Sequence, residues 1–154
     1  MIQRIQSVYL LLTTLLSALF LSGNIITFTG AETTFIKITL SGIYLSTGGT
    51  EEMTYRGVFM ILPVFLSSII SLVAILTFKK RKIQLWLTRL IMAFILTGIM
   101  AGAYYIVILT KQYNVQPEIG FRLFIPPVIV VLAFLASRGI IHDEKLVRSY
   151  DRLR

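Results

Sequence analysis

Residues 79–109 read KKRKIQLWLTRLIMAFILTGIMAGAYYIVIL. Four consecutive cations, Lys79, Lys80, Arg81 and Lys82, precede a stretch, residues 84–109, whose single charge is Arg89 near its start. Coiled as a helix rising about 1.5 Å per residue, that stretch is long enough to cross a hydrocarbon core of about 30 Å. Arg89 lies about one turn in and can snorkel back to the charged end. Trp86 suits the lipid–water interface beside the cations. Each Lys or Arg next to anionic headgroups contributes about 1 kcal/mol. These five residues, Lys79 to Lys82 and Trp86, read as headgroup and topology anchors.

Three more apolar runs lie outward from this one, at residues 7–27, 57–78 and 121–137. The 154 residues are 56% hydrophobic and 14% charged, with a mean hydropathy of +0.82. Globular domains are nearer 45–50% apolar and about 25% charged. Four spans divide the charges unequally. The side holding the N-terminus, the 79–86 connection with the snorkelling Arg89, and the tail 138–154 carries eleven of the fifteen basic residues and three of the seven acids. The whole formal charge of +8 therefore sits on one face, and the other side is neutral. Excess Lys and Arg mark the cytoplasmic side, so both termini are expected inside. The first run follows Arg4 but lacks small residues paired for cleavage: Gly23 goes with Leu21, and Ala31 with Thr29. It reads as an uncleaved signal-anchor span.

The composition also closes off chemistry. There is no cysteine, which removes disulfides, thiolate metal sites and thiol nucleophiles, and a lone His142 makes no multi-histidine centre. No ionisable residue falls in mid-span, where a proton-coupled transporter keeps one. Ser67, Ser68 and Ser71 have no base in the spans to activate them, and read as interhelical hydrogen-bonders. His142, Asp143 and Glu144 are adjacent, so on a helix they point around it rather than converge. No catalytic, cofactor-binding or metal-binding residue is expected. The basic run is short and lies against the bilayer, so the partner it implies is anionic lipid rather than nucleic acid.

Within the external loop 28–56, Ile36, Ile38 and Leu40 alternate with Lys37, Thr39 and Ser41, the period of a half-buried strand. Ser41-Gly42 turns into a second strand, residues 43–46, and Gly48-Gly49 ends the pattern. The expectation is a small hairpin resting on the outer helix ends. Gly98 and Gly102 form a small-xxx-small pair suited to close helix packing. Pro63 and Pro126-Pro127 remove backbone donors and are expected to kink the second and fourth spans.

The tail places Leu146, Tyr150 and Leu153 at i, i+4 and i+7, with Val147 beside them, opposite Lys145, Arg148 and Arg152. This is an amphipathic cytoplasmic helix that can lie on the inner leaflet with its cations toward headgroups or dock by its narrow apolar edge. The interleaved acids favour docking on a protein partner or on the chain's own loops. The ends, MIQRIQSVYLLL and DEKLVRSYDRLR, around four cysteine-free spans resemble a family of small integral membrane proteins of Bacteroidota, a domain of unknown function. The resemblance covers the whole chain and implies a four-helix inner-membrane protein, with no activity attached. The sequence thus predicts one domain, 1–154: an all-α four-transmembrane-helix bundle, N-in and C-in, with a β-hairpin outside and an amphipathic tail inside. Its expected role is that of a non-enzymatic accessory or scaffold subunit with a membrane-protein partner, or a homo-oligomer. The alternative is a small transporter or lipid-handling protein, with a cavity between kinked spans two and four lined by Ser67, Ser71 and Thr97.

Overall fold

The computed structural model describes residues 3–29, 35–39, 42–47, 50–55, 58–78, 80–113, 115–118 and 120–151. Four helices form on the four apolar runs: α1 Gln3–Leu21, α2 Val58–Leu76, α3 Arg81–Tyr113 and α4 Ile125–Asp151. Between α1 and α2 lie strands β1 Ile26–Thr29, β2 Phe35–Thr39, β3 Gly42–Thr47 and β4 Thr50–Tyr55. A fifth strand, β5 Gln116–Glu118, and a 3₁₀ turn, Phe121–Phe124, join α3 to α4.

The helix α1 stops at Leu21, six residues before the expected boundary at Thr27. Ser22-Gly23-Asn24 is turn chemistry. Ser22 folds back, its hydroxyl donating to Leu19 O at 2.9 Å. Ile25 N then donates to Ile38 O at 2.7 Å, which commits the chain to the sheet.

The expected hairpin is present as β2 and β3, with Ile38 opposite Ile43 and Ile36 opposite Leu45. It belongs to a larger object. All strands pair antiparallel in the order β4-β3-β2-β1-β5, so the protein is mostly helical with a small sheet rather than all-α. Ile36 and Ile38 are buried while Lys37 and Thr39 are half-exposed, as the period of two requires. Leu40, Ser41 and the pair Gly48-Gly49 lie outside the described residues. Ile26, Phe28, Ile36, Ile38 and Ile43 make one apolar face that joins the helices in a single core. Gly42, at φ 154°, opens β3 in a conformation that residues with side chains rarely adopt.

The helices pack in a ring: α1 touches α2 and α4, and α3 touches the same two. Because the chain passes through the sheet after α1 and again after α3, neighbouring helices run antiparallel. The sheet covers one end. The short α2–α3 connection, the start of α1 and the last turns of α4 share the other.

The helices are apolar on both faces: residues such as Leu10, Ile91, Ile95 and Ile129 fill the core, and small hydroxylated residues are enclosed among them. Thr13, Ser17, Ser67, Ser71 and Thr88 are fully buried. Leu11, Leu15, Phe65, Leu72, Leu96, Met100, Val131 and Phe134 are exposed. Ser71 Oγ donates across to Leu10 O at 2.8 Å, the interhelical bond expected of it, whereas Ser67 Oγ returns to Val64 O in its own helix. Small hydroxylated residues let α1 and α2 approach closely. The residues Arg81–Tyr113 and Phe121–Glu144 are long and apolar enough to cross a membrane, while α1 and α2 are shorter apolar helices.

The prolines depart from expectation in one helix. Pro63 lies inside α2. Pro126 and Pro127 instead occupy the first turn of α4, directly after the 3₁₀ turn. There the missing N–H groups have no intrahelical partner to lose, so they start the helix rather than kink it.

Candidate functional site

Two places bring together groups that a four-helix protein does not need for simple packing. The first is at the end away from the sheet. Gln6 of α1 and Asp143 of α4 are both buried, and Gln6 Nε2 donates to Asp143 Oδ2 at 2.6 Å. Arg81 reaches over from α3, its Nη1 donating to Asp143 O at 2.9 Å. Gly139, one turn before Asp143, makes room: a Cβ there would lie 2.9 Å from Gln6 Cγ. Three helices are thus tied by hydrogen bonds at one residue, Gln6 bonding the Asp143 carboxylate and Arg81 its backbone carbonyl. Gln84 and Thr88 continue the buried polar column on α3, Thr88 Oγ1 donating to Gln84 O. Alongside it, His142 is exposed and Glu144 half-buried, so the three adjacent titratable residues diverge.

This placement separates the expected anchors. Lys80 and Lys82 are exposed, and Trp86 is 61% exposed at the same end. Arg81 faces inward to α4 and works as an interhelical tie. Lys79 lies outside the described residues. So does Leu153, and of Leu146, Val147 and Tyr150 only the helical backbone of α4 is described.

The second place is under the sheet. An apolar cavity of about 340 Å³ is bounded by Phe20, Val64, Gly98, Gly102, Phe124 and Pro126, among others, with no polar side chain in its lining. Gly98 and Gly102 are buried, and their missing side chains leave the void on this face of α3. The rim residues Ala103, Phe124 and Pro127 are exposed, so the cavity opens sideways among the outward apolar residues. Ser67 and Ser71 are not in its wall, and Thr97 is exposed with its hydroxyl bonded to Ala93 O.

A polar hollow of about 300 Å³ adjoins the cavity through the shared residues Ile25 and Ile26. Arg122 and Glu118 both line it. Arg122 Nη1 donates to Asn24 O at 3.0 Å, and Glu118 Oε2 accepts from Thr27 Oγ1 at 2.8 Å. Gly23 permits the arginine's position, since a Cβ there would collide with the guanidinium. Sequence reasoning missed both acid and base here. Their sequence separation from Thr27 and Asn24 is over ninety residues, and no local pattern signals a strand as short as β5.

Apolar outward faces on four helices, a polar tie at one end and a sheet over an apolar cavity at the other are the features that distinguish this helical protein. Over residues 2–153 the chain matches the family described as "Domain of unknown function (DUF4293)", and it belongs to that family. No curated protein and no solved structure matches the chain.

Proposed function

We propose that this chain is a multi-pass protein of the bacterial inner membrane, crossing four times with both termini in the cytoplasm, and that it serves as a non-enzymatic accessory or scaffold subunit. The observation that carries the membrane reading is the outer surface: large apolar residues project outward from all four helices, although the interior is already apolar. Exposed apolar patches of this extent mark an interaction with lipid or protein. The helices α1 and α2, at 19 residues each, are about 28 Å long, close to a hydrocarbon core. Orientation rests on the basic residues gathered at the end away from the sheet. The resemblance of the chain's two ends to Bacteroidota proteins supports a Gram-negative inner membrane. The scaffold role is supported by where the inward polar groups go: buried Gln6, Ser71 and Asp143 and half-buried Arg81 join helices to one another, which leaves none of these committed to a substrate.

Reporter fusions test the topology. Fusions after Lys82 and after Arg154 are expected on the cytoplasmic side, and fusions near Gly48 and Gln116 outside. One fusion on the opposite side breaks the four-span reading. Purification in mild detergents with mass spectrometry tests the scaffold role; a stoichiometric partner or a defined homo-oligomer is the expected product. A second reading, lipid handling, is favoured by the apolar cavity and its sideways opening. A solitary monomer in every detergent would favour that reading over the first.

A further inference from the structure

We infer that the cavity under the sheet and the polar hollow beside it form one site for a zwitterionic amino-phospholipid, with an acyl chain in the cavity and the headgroup between Arg122 and Glu118. This rests on the membrane reading above. The cavity's lining is carbon throughout, and an apolar void of roughly 150 Å³ already stays dry and takes up benzene. At about 340 Å³, the space here falls in the range of ligand pockets and suits a chain segment far better than water. Its opening lies among Ala103, Phe124 and Pro127, on the apolar outer surface, so lipid is the solvent that reaches it.

The hollow supplies the selectivity. Arg122 and Glu118 line the same space yet form no ion pair with each other among the described residues; each is held by a partner on the other wall, Asn24 O or the Thr27 hydroxyl. Opposite charges kept apart across one hollow complement a group that carries both. A phosphate accepts from the guanidinium's remaining N–H donors, and a primary ammonium donates to the carboxylate. An anionic headgroup would meet Glu118 unfavourably, and a quaternary ammonium has no N–H to donate. Gly23 lets Arg122 lie against the α1–β1 turn, and Gly102 lines the cavity where a larger side chain would compete with the acyl chain.

The test uses the full chain in nanodiscs with photoactivatable phospholipids of identical chains and different headgroups: ethanolamine, glycerol and choline. Each carries a diazirine near the chain end, and labelled peptides are mapped by mass spectrometry. Labelling is expected on residues 98–106 and 123–127 above that of outward residues such as Leu96. The ethanolamine probe should exceed the other two by about two- to fivefold, the scale of partly exposed charge pairs. Arg122→Gln and Glu118→Gln should each erase that preference. Gly102→Leu should reduce cavity labelling to the level of Leu96, while Leu96→Val, on the outer face, leaves it intact. Equal labelling by all three headgroups, or labelling indifferent to Gly102→Leu, overturns the proposal. If Gly102→Leu fails to assemble, the unmodified protein decides alone: no lipid retained through delipidation in native mass spectrometry refutes the site. A chain that never enters the nanodisc instead refutes the membrane reading, and the site with it.

Discussion

Gly139 sits in the interior of α4, where alanine is ordinarily the better residue by about 1 kcal/mol. Here the side chain of Gln6 crosses it, and an added methyl would press on Gln6 Cγ at 2.9 Å. A mid-chain carbon cannot yield without moving the amide that bonds Asp143. Gly139→Ala is therefore expected to destabilise the protein, despite its gain in helix propensity. Gln6→Ala should cost about 1–3 kcal/mol by leaving the buried Asp143 without its donor. In the Gln6→Ala background the clash is gone, so Gly139→Ala should turn stabilising. Unfolding midpoints of the four variants form a double-mutant cycle; additive effects would mean that Gln6 and Gly139 are independent. Asp143 was legible as part of a charged tail but not as the centre of a tie, because the donor it needs is 137 residues away. Gln6 was the available signal, a polar side chain at the head of an apolar helix.

At the scale of elements, β2 and β3 were readable because their apolar residues recur every second position and a turn separates them. The strands β1 and β5 were not. The four residues of β1 resume an apolar pattern only four residues after α1 ends, so an average over hydropathy carries the run past the Ser22-Gly23-Asn24 turn. With three residues and a central proline, β5 reads as a turn, and only the neighbouring strand makes it an edge. Phe28 stands where this matters. It is fully buried, opposite Ile36 on one side and Pro117 on the other. Phe28→Ala should cost about 3–5 kcal/mol and speed amide exchange in β1, β2 and β5 while the helix amides stay protected. Exchange unchanged in β5 would show that the α3–α4 connection does not depend on this pairing. The last turns of α4 allow another test. Replacing Leu146, Tyr150 and Leu153 with Ala removes about 1.5–3 kcal/mol for each side chain that is buried against a partner. Membrane insertion should survive and co-purification of the partner should fail; a partner retained in full would assign the tail to the bilayer surface instead.

For the whole molecule, the number of helices and the presence of a small sheet followed from hydropathy and period, because those signals are local and repeated. The cavity did not, since a glycine pair reads as close packing within the bundle or against another chain and carries no signal of an adjoining space. The space is defined by the placement of Phe20, Phe124 and Pro126 beside Gly98 and Gly102, residues far apart in sequence. The proposal that lipid surrounds the helices rests on their outward apolar residues, and one substitution series tests it. Leu96 and Ile69 are exposed near the centres of α3 and α2. In water, an exposed leucine changed to lysine alters stability by at most about 0.5 kcal/mol. At the centre of a membrane-crossing helix the same change costs about 2.5–3.5 kcal/mol. Leu96→Lys and Ile69→Lys should therefore lower the fraction of chain that is inserted and resistant to alkaline extraction. Lys82→Leu, at the charged end, should leave insertion intact but weaken the orientation bias that the basic cluster sets. If both lysine variants fold and fractionate as the unmodified chain does, the outward leucines and isoleucines face water or a protein partner, and the four-span reading is wrong.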